Sequence, residues 1–132
     1  MKEKMYKKLS LVFGVCDLAT GVALMLCPSF VMTILMTEVA AESLVYIRYI
    51  GVFVFAVGFA YFLPYLPVKG RKVDVWSVWN ITALVRCFVA AFVLLQVVIS
   101  ILPTAWLLVA VVDGSIASAQ FVLLRKMPPE SL

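Results

Sequence analysis

Four charged side chains lie inside long apolar stretches of this chain: Asp17, Arg48, Arg86 and Asp113. Their formal charges cancel. An ionised group in a bilayer costs several kcal/mol unless it meets a counter-ion or water, so these residues are the first place to look for chemistry. Two acids and two bases can neutralise one another and set helix register, as buried polar residues do elsewhere. They could instead share a proton or an ion between two carboxylates, or hold an anionic headgroup or substrate between guanidinium groups. The expected pairs are Arg86 with Asp113 or Asp17, and Arg48 with the remaining carboxylate.

Other chemistry is scarce. The chain has no histidine, which removes His-based zinc sites, His-held haem and the usual triads. No metalloprotease, nucleophile-elbow, phosphate-loop or dinucleotide motif occurs. Cys16, Cys27 and Cys87 form no C-x-x-C pair and read as small buried hydrophobes. No catalytic residue, metal or cofactor is expected, and the chain does not read as an enzyme.

The elements that must position the quartet follow from composition. Of 132 residues, 65% are hydrophobic and 14% charged, and the mean hydropathy is +1.12, which places the chain in lipid rather than water. Four spans are predicted, at about 9–27, 43–66, 75–102 and 105–124, with a short interfacial segment at about 28–36 that is too short to cross. Hydrocarbon leaves no partner for an open backbone, so the spans must be helices. The fold class is therefore all-α: a single domain over 1–132, a polytopic antiparallel bundle of four transmembrane helices.

Boundaries have local causes. Lys2, Lys4, Lys7 and Lys8 precede the first span, which is longer than a signal-peptide core and lacks a cleavage site, so it reads as a retained helix. Pro28 ends it. Glu38 and Glu42 mark the far side. Pro64, Pro67 and Gly70 stop the second span, and Trp76 and Trp79 sit at the basic end of the third, where an aromatic belt belongs. Pro103 starts a tight turn, with Thr104 as the expected helix cap. Lysine and arginine fall in the amino-terminal tail, the 66–75 loop and the Arg125-Lys126 end. That alternation predicts a multi-pass cell-membrane protein with both termini cytoplasmic. With the basic residues confined to helix ends, a nucleic-acid partner is not expected; the partners are the lipid bilayer and a homo-oligomer or another membrane protein.

Counting 1.5 Å per residue from the far side, Asp17 and Asp113 lie roughly 15 Å deep, Arg48 about 9 Å and Arg86 about 24 Å, so a guanidinium could reach the central acids from each side. Helical spacing puts Ser10, Gly14, Asp17, Gly21 and Leu24 on one face, and Arg48, Gly51, Phe55, Gly58 and Phe62 on another. Gly14, Gly21, Gly51 and Gly58 should let backbones approach closely. The third span aligns Trp79, Thr82, Arg86, Ala90, Val93, Gln96 and Ser100, and the fourth Trp106, Asp113, Ala117 and Gln120. The candidate polar core is Asp17, Arg48, Arg86 and Asp113 with Thr82, Gln96 and Gln120.

The runs Gly14-Val-Cys-Asp17-Leu-Ala-Thr-Gly21, Ile47-Arg48-Tyr-Ile-Gly51 through Gly58-Phe-Ala-Tyr61, Leu84-Val-Arg86, and Asp113-Gly114 with Gln120 ahead of Leu123-Leu124-Arg125 carry a resemblance. Over roughly residues 9–126 the chain resembles small four-helix proteins of the bacterial inner membrane, broadly DoxX-like. The resemblance implies a four-helix bundle, and in some relatives a partner role beside redox proteins; lacking C-x-x-C, this chain departs from a direct thiol role. It places Asp17, Arg48, Gly51, Arg86 and Asp113 at the positions that matter. The expected function is a structural or accessory bundle held in register by the quartet. The alternative is a transporter or binding protein for protons, an anion or an amphipathic small molecule.

Overall fold

The computed structural model describes residues 2–66 and 73–126, and within them the chain is all-α. Its helices are α1 (Lys2–Leu26), α2 (Pro28–Ile34), α3 (Leu44–Ala60), α4 (Val75–Val98) and α5 (Leu107–Leu124). Three short 3₁₀ turns, Ala41–Ser43, Leu63–Tyr65 and Thr104–Trp106, flank α3 and α5. With these turns, Lys4–Leu26, Ala41–Tyr65, Val75–Val98 and Thr104–Leu124 are each long and apolar enough to cross a bilayer. The protein is a multi-pass membrane protein, with four such spans among the described residues. Pro67, Lys69, Gly70, Arg71 and Lys72 of the expected basic loop, and the Pro128-Pro129 tail, lie outside the described residues.

The chain divides into two compact units, Met1–Thr33 with Glu38–Val73, and Ile34–Thr37 with Asp74–Leu132. In the first, α1 and α3 run antiparallel and meet through glycine. A Cβ built on Gly58 would lie 2.6 Å from the backbone nitrogen of Leu18 and 2.8 Å from Asp17 Cβ, and one on Gly21 would lie 2.6 Å from the backbone nitrogen of Phe55. Gly14 and Gly51 are equally tight, against Gly58 O at 3.0 Å and Gly21 O at 2.9 Å. Lipid tails are as apolar as leucine, so burial alone cannot drive this contact; close backbone packing does. The face predicted for α1 is the one buried: Ser10, Gly14, Asp17, Gly21 and Leu24, extended by Tyr6.

The second unit pairs α4 and α5 differently. Trp79, Ala83 and Ala117 are fully buried with Thr82, Arg86 and Gln120, while Gly114 meets nothing nearer than Ala90 Cβ at 3.8 Å. Trp79 is thus a core residue rather than part of an aromatic belt; of the two tryptophans only Trp76 is exposed. Ile34–Thr37 belongs to this unit, where the Trp106 indole donates to Thr37 Oγ1 at 2.7 Å.

Several boundaries differ from expectation. α1 begins at Lys2, not near Leu9, because lysine is a good helix former and the helix continues past the apolar edge. α4 stops at Val98, not near Leu102: Ser100 takes a left-handed conformation (φ 61°), its N–H donating to Val97 O and that of Ile101 to Gln96 O. These are the two bonds of a Schellman stop. Thr104 is not a cap; it lies inside a 3₁₀ turn whose preceding residue, Pro103, makes no side-chain bond. A side-chain cap is found instead on α4, where the Asp74 carboxylate accepts from the Ser77 N–H at 2.7 Å. The cysteines also correct the reading: Cys16 and Cys27 are exposed and Cys87 half-buried, on faces where hydrocarbon suits a thiol as well as a core does.

Two predictions follow from this packing. Gly58→Ala must push α1 and α3 apart and should cost about 1–3 kcal/mol, whereas Gly114→Ala, with room for its methyl, should be neutral or gain up to about 1 kcal/mol; unfolding in mixed micelles measures both. The Ser77 backbone N–H holds the Asp74 carboxyl below its ordinary value of 3.8, against an opposing push from burial. A carboxyl more acidic in the folded state adds stability that is complete above that ordinary value and is lost as pH falls through the lowered one. Asp74→Ala should therefore cost about 1 kcal/mol at neutral pH and flatten the acid limb of the stability profile.

Candidate functional site

α4 and α5 present their polar residues to each other at two successive levels. Thr82 and Arg86 are one turn apart on α4, and Gln120 and Asp113 two turns apart on α5, so each pair shares a helix face. At the first level Gln120 Nε2 donates to Thr82 Oγ1 at 3.1 Å, and that hydroxyl donates in turn to Val78 O at 2.8 Å. Thr82 thereby closes its own backbone and its neighbour's amide with one group.

At the second level the Arg86 guanidinium pairs with the Asp113 carboxylate. Four residues of α4 rise about 6 Å and seven of α5 about 10.5 Å, so the long arginine arm makes up the difference. The side chains are 6% and 18% exposed, which leaves little room for water to take either partner's place. A pair of this kind carries no net charge into the bilayer, and removing one member leaves the other uncompensated.

The remaining candidates are placed as follows. Asp17 is buried on α1 at the crossing with α3, beside Gly58. Gln96 is half-buried near the end of α4, and its Oε1 is shielded yet accepts no hydrogen bond among the described residues. Arg48 departs from expectation: it is exposed on α3 and makes no ion pair among the described residues, so it is not part of a closed quartet. Its place explains this. It is the fifth residue of α3, close enough to the membrane boundary for its arm to reach polar surroundings without a buried counter-ion. The helix-packing glycines Gly14, Gly21, Gly51 and Gly58 lie on the α1–α3 contact as expected. Among the described residues no group of three metal-ligating side chains converges.

Some polar contacts had no signal in helical spacing. Tyr65 donates its hydroxyl to Ser10 Oγ at 3.4 Å, and the Lys7 ammonium stands 5.4 Å from the Tyr65 ring centroid, fastening the start of α1 to the turn after α3. Tyr61 is almost fully buried against Phe13, with ring centroids 6.1 Å apart. Thr37, the acceptor for Trp106, sits in a loop where no periodicity could mark it. Only the polar–aromatic residue types hinted at such contacts.

No family model matches this chain, and neither does any curated protein or solved structure.

The ion pair yields a graded expectation. Asp113→Leu should destabilise the protein by about 3–5 kcal/mol because it leaves a buried guanidinium unpaired, while Asp113→Glu, which keeps the charge, should lose far less. Thr82→Val strands the Gln120 amide and should cost about 1–3 kcal/mol. Denaturation in mixed detergent micelles ranks the three.

Proposed function

We propose that this protein is a non-enzymatic structural or accessory component of the bacterial inner membrane, DoxX-like in kind, whose buried ionic groups hold its helices in register. The observation that supports this reading is the Arg86–Asp113 pair: each charge is met by the other inside one helix pair, as a register-setting contact requires. The Thr82–Gln120 bond one turn away acts in the same sense. In this reading both termini are cytoplasmic, because exposed Lys4, Lys7 and Lys8 stand at the start of the first crossing and exposed Arg125 and Lys126 follow the fourth, while Glu38 and Glu42 lie at the opposite end, where the first crossing turns into the second. In this reading the partners are the bilayer and a second copy or another membrane protein.

A second reading, transport or binding of protons, an anion or an amphipathic small molecule, is favoured by one observation. The shielded Gln96 Oε1 is an acceptor without a donor among the described residues, and a buried acceptor of this kind suits a small molecule that can donate to it.

Proteoliposomes loaded with a pH-sensitive dye separate the two. On the structural reading the wild-type protein passes no more protons than protein-free vesicles, and Asp113→Asn lowers its unfolding midpoint. A wild-type proton flux that disappears in a normally folded Asp113→Asn protein would sink it.

A further inference from the structure

The side of α1 turned away from α3 carries charge at one end and an apolar groove further along. Residues 1–8 hold Lys2, Lys4, Lys7 and Lys8 against one acid, Glu3. Lys4, Lys7 and Lys8 are exposed and stand three and four residues apart in an unbroken helix, so they share a face. From Lys4 and Lys8, steps of three and four lead on to Leu11, Val15, Leu18 and Val22, of which Leu11, Val15 and Val22 are exposed. A groove of about 470 Å³ opens on the same side, where the short Ala19 and Ala23 lie beside the longer Val15, Leu18 and Val22. The residues that meet α3, Gly14, Asp17, Gly21 and Leu24, occupy the other side of the helix.

One of the lysines is held in place. The Lys7 ammonium stands 5.4 Å from the Tyr65 ring centroid, and Tyr65 is itself tied to Ser10 through its hydroxyl at 3.4 Å. A ring face attracts the cation without using up its N–H donors, so they stay available to an oxygen acceptor. Rise per residue sets the depth of the groove below these cations. Lys8 to Val15 is about 10 Å, and half of the hydrocarbon core is about 15 Å, so an acyl chain that starts below the lysines ends near Leu18 and Ala19, inside the groove.

We infer that this face of α1 binds an anionic phospholipid, its phosphate on Lys4, Lys7 and Lys8 and one acyl chain laid along Leu11, Val15 and Leu18 into the groove. Charge complementarity selects the occupant. A second copy docked here, inserted the same way, would set its own three lysines against these, and like charges at one level repel. A zwitterionic headgroup would bring its ammonium or choline up to the same cations. An anionic phosphate carries no such penalty, and each lysine beside it adds to the attraction. The Arg86–Asp113 pair plays no part here, so this inference stands or falls separately from the proposed function.

Native mass spectrometry tests it on the full chain released from nanodiscs of equal parts phosphatidylglycerol, phosphatidylethanolamine and phosphatidylcholine. The wild-type protein should retain phosphatidylglycerol in preference to both others. Lys8→Gln should cut that retention about fivefold, the share of one lysine near an anionic surface. Replacing Lys4, Lys7 and Lys8 together by glutamine should erase the preference. Ala19→Phe, which fills the groove and leaves the charge alone, should lower retention as well. Arg125→Gln with Lys126→Gln, which removes as much charge from the end of α5, should leave it unchanged. If the triple variant fails to fold, Lys8→Gln and Ala19→Phe decide. Equal retention of the three lipids by the wild type, or full retention in Lys8→Gln or in Ala19→Phe, would overturn the inference. So would an equal loss in the Arg125 and Lys126 variant, which would reduce the effect to general surface charge, or a lipid-free dimer that Ala19→Phe dissociates, which would make a second copy the occupant.

Discussion

Hydrocarbon offers neither hydrogen bonds nor hydration, and the Arg86–Asp113 pair is where this chain meets that constraint most directly. A guanidinium and a carboxylate can each stay ionised inside a span only if something else supplies what water would have supplied. The α4–α5 pairing supplies it by bringing the two ions into contact. The same contact limits how the two helices can slide or rotate, since a displacement of one residue would part them. Thr82 and Gln120 repeat the device with neutral groups across the same two helices.

The first unit solves a related problem by other means. α1 and α3 hold four buried glycines at their contact, and the backbones approach so closely that an added methyl would strike main-chain atoms. Where helices cannot gain from expelling water, dispersion between close surfaces is the available attraction, and glycine maximises it. The two helix pairs thus use opposite chemistry, glycine surfaces in one and polar pairing around a buried tryptophan in the other. Asp17 lies on the glycine face, so the acid and the close approach share one surface of α1.

Near the ends of the spans, where polar surroundings begin, the polar residues act locally. Asp74 caps α4, the Ser100 turn stops it, Tyr65 and Lys7 close over the start of α1, and Trp106 reaches Thr37. Arg48 belongs with this group rather than with the interior ions, because a long basic side chain about one turn inside α3 can still reach toward the interface.

Sequence alone determined the all-α class, the four spans, the short segment after Pro28, and which face of α1 turns inward. Hydropathy over a span's length and the three-and-four spacing of small and polar residues are local quantities, and lipid makes them decisive. It also proposed Arg86 with Asp113 or Asp17, because depth counted along each helix put both acids within reach; the structure pairs it with Asp113. Tertiary structure alone decided that Arg48 makes no ion pair among the described residues, that Trp79 is core, that Cys16 and Cys27 face outward, and that α4 ends at Val98, before the Ser100 turn, rather than near Leu102. These depend on helix rotation and on which residue adopts a left-handed turn. Both are set by packing between segments distant in the chain, which spacing along one helix does not record.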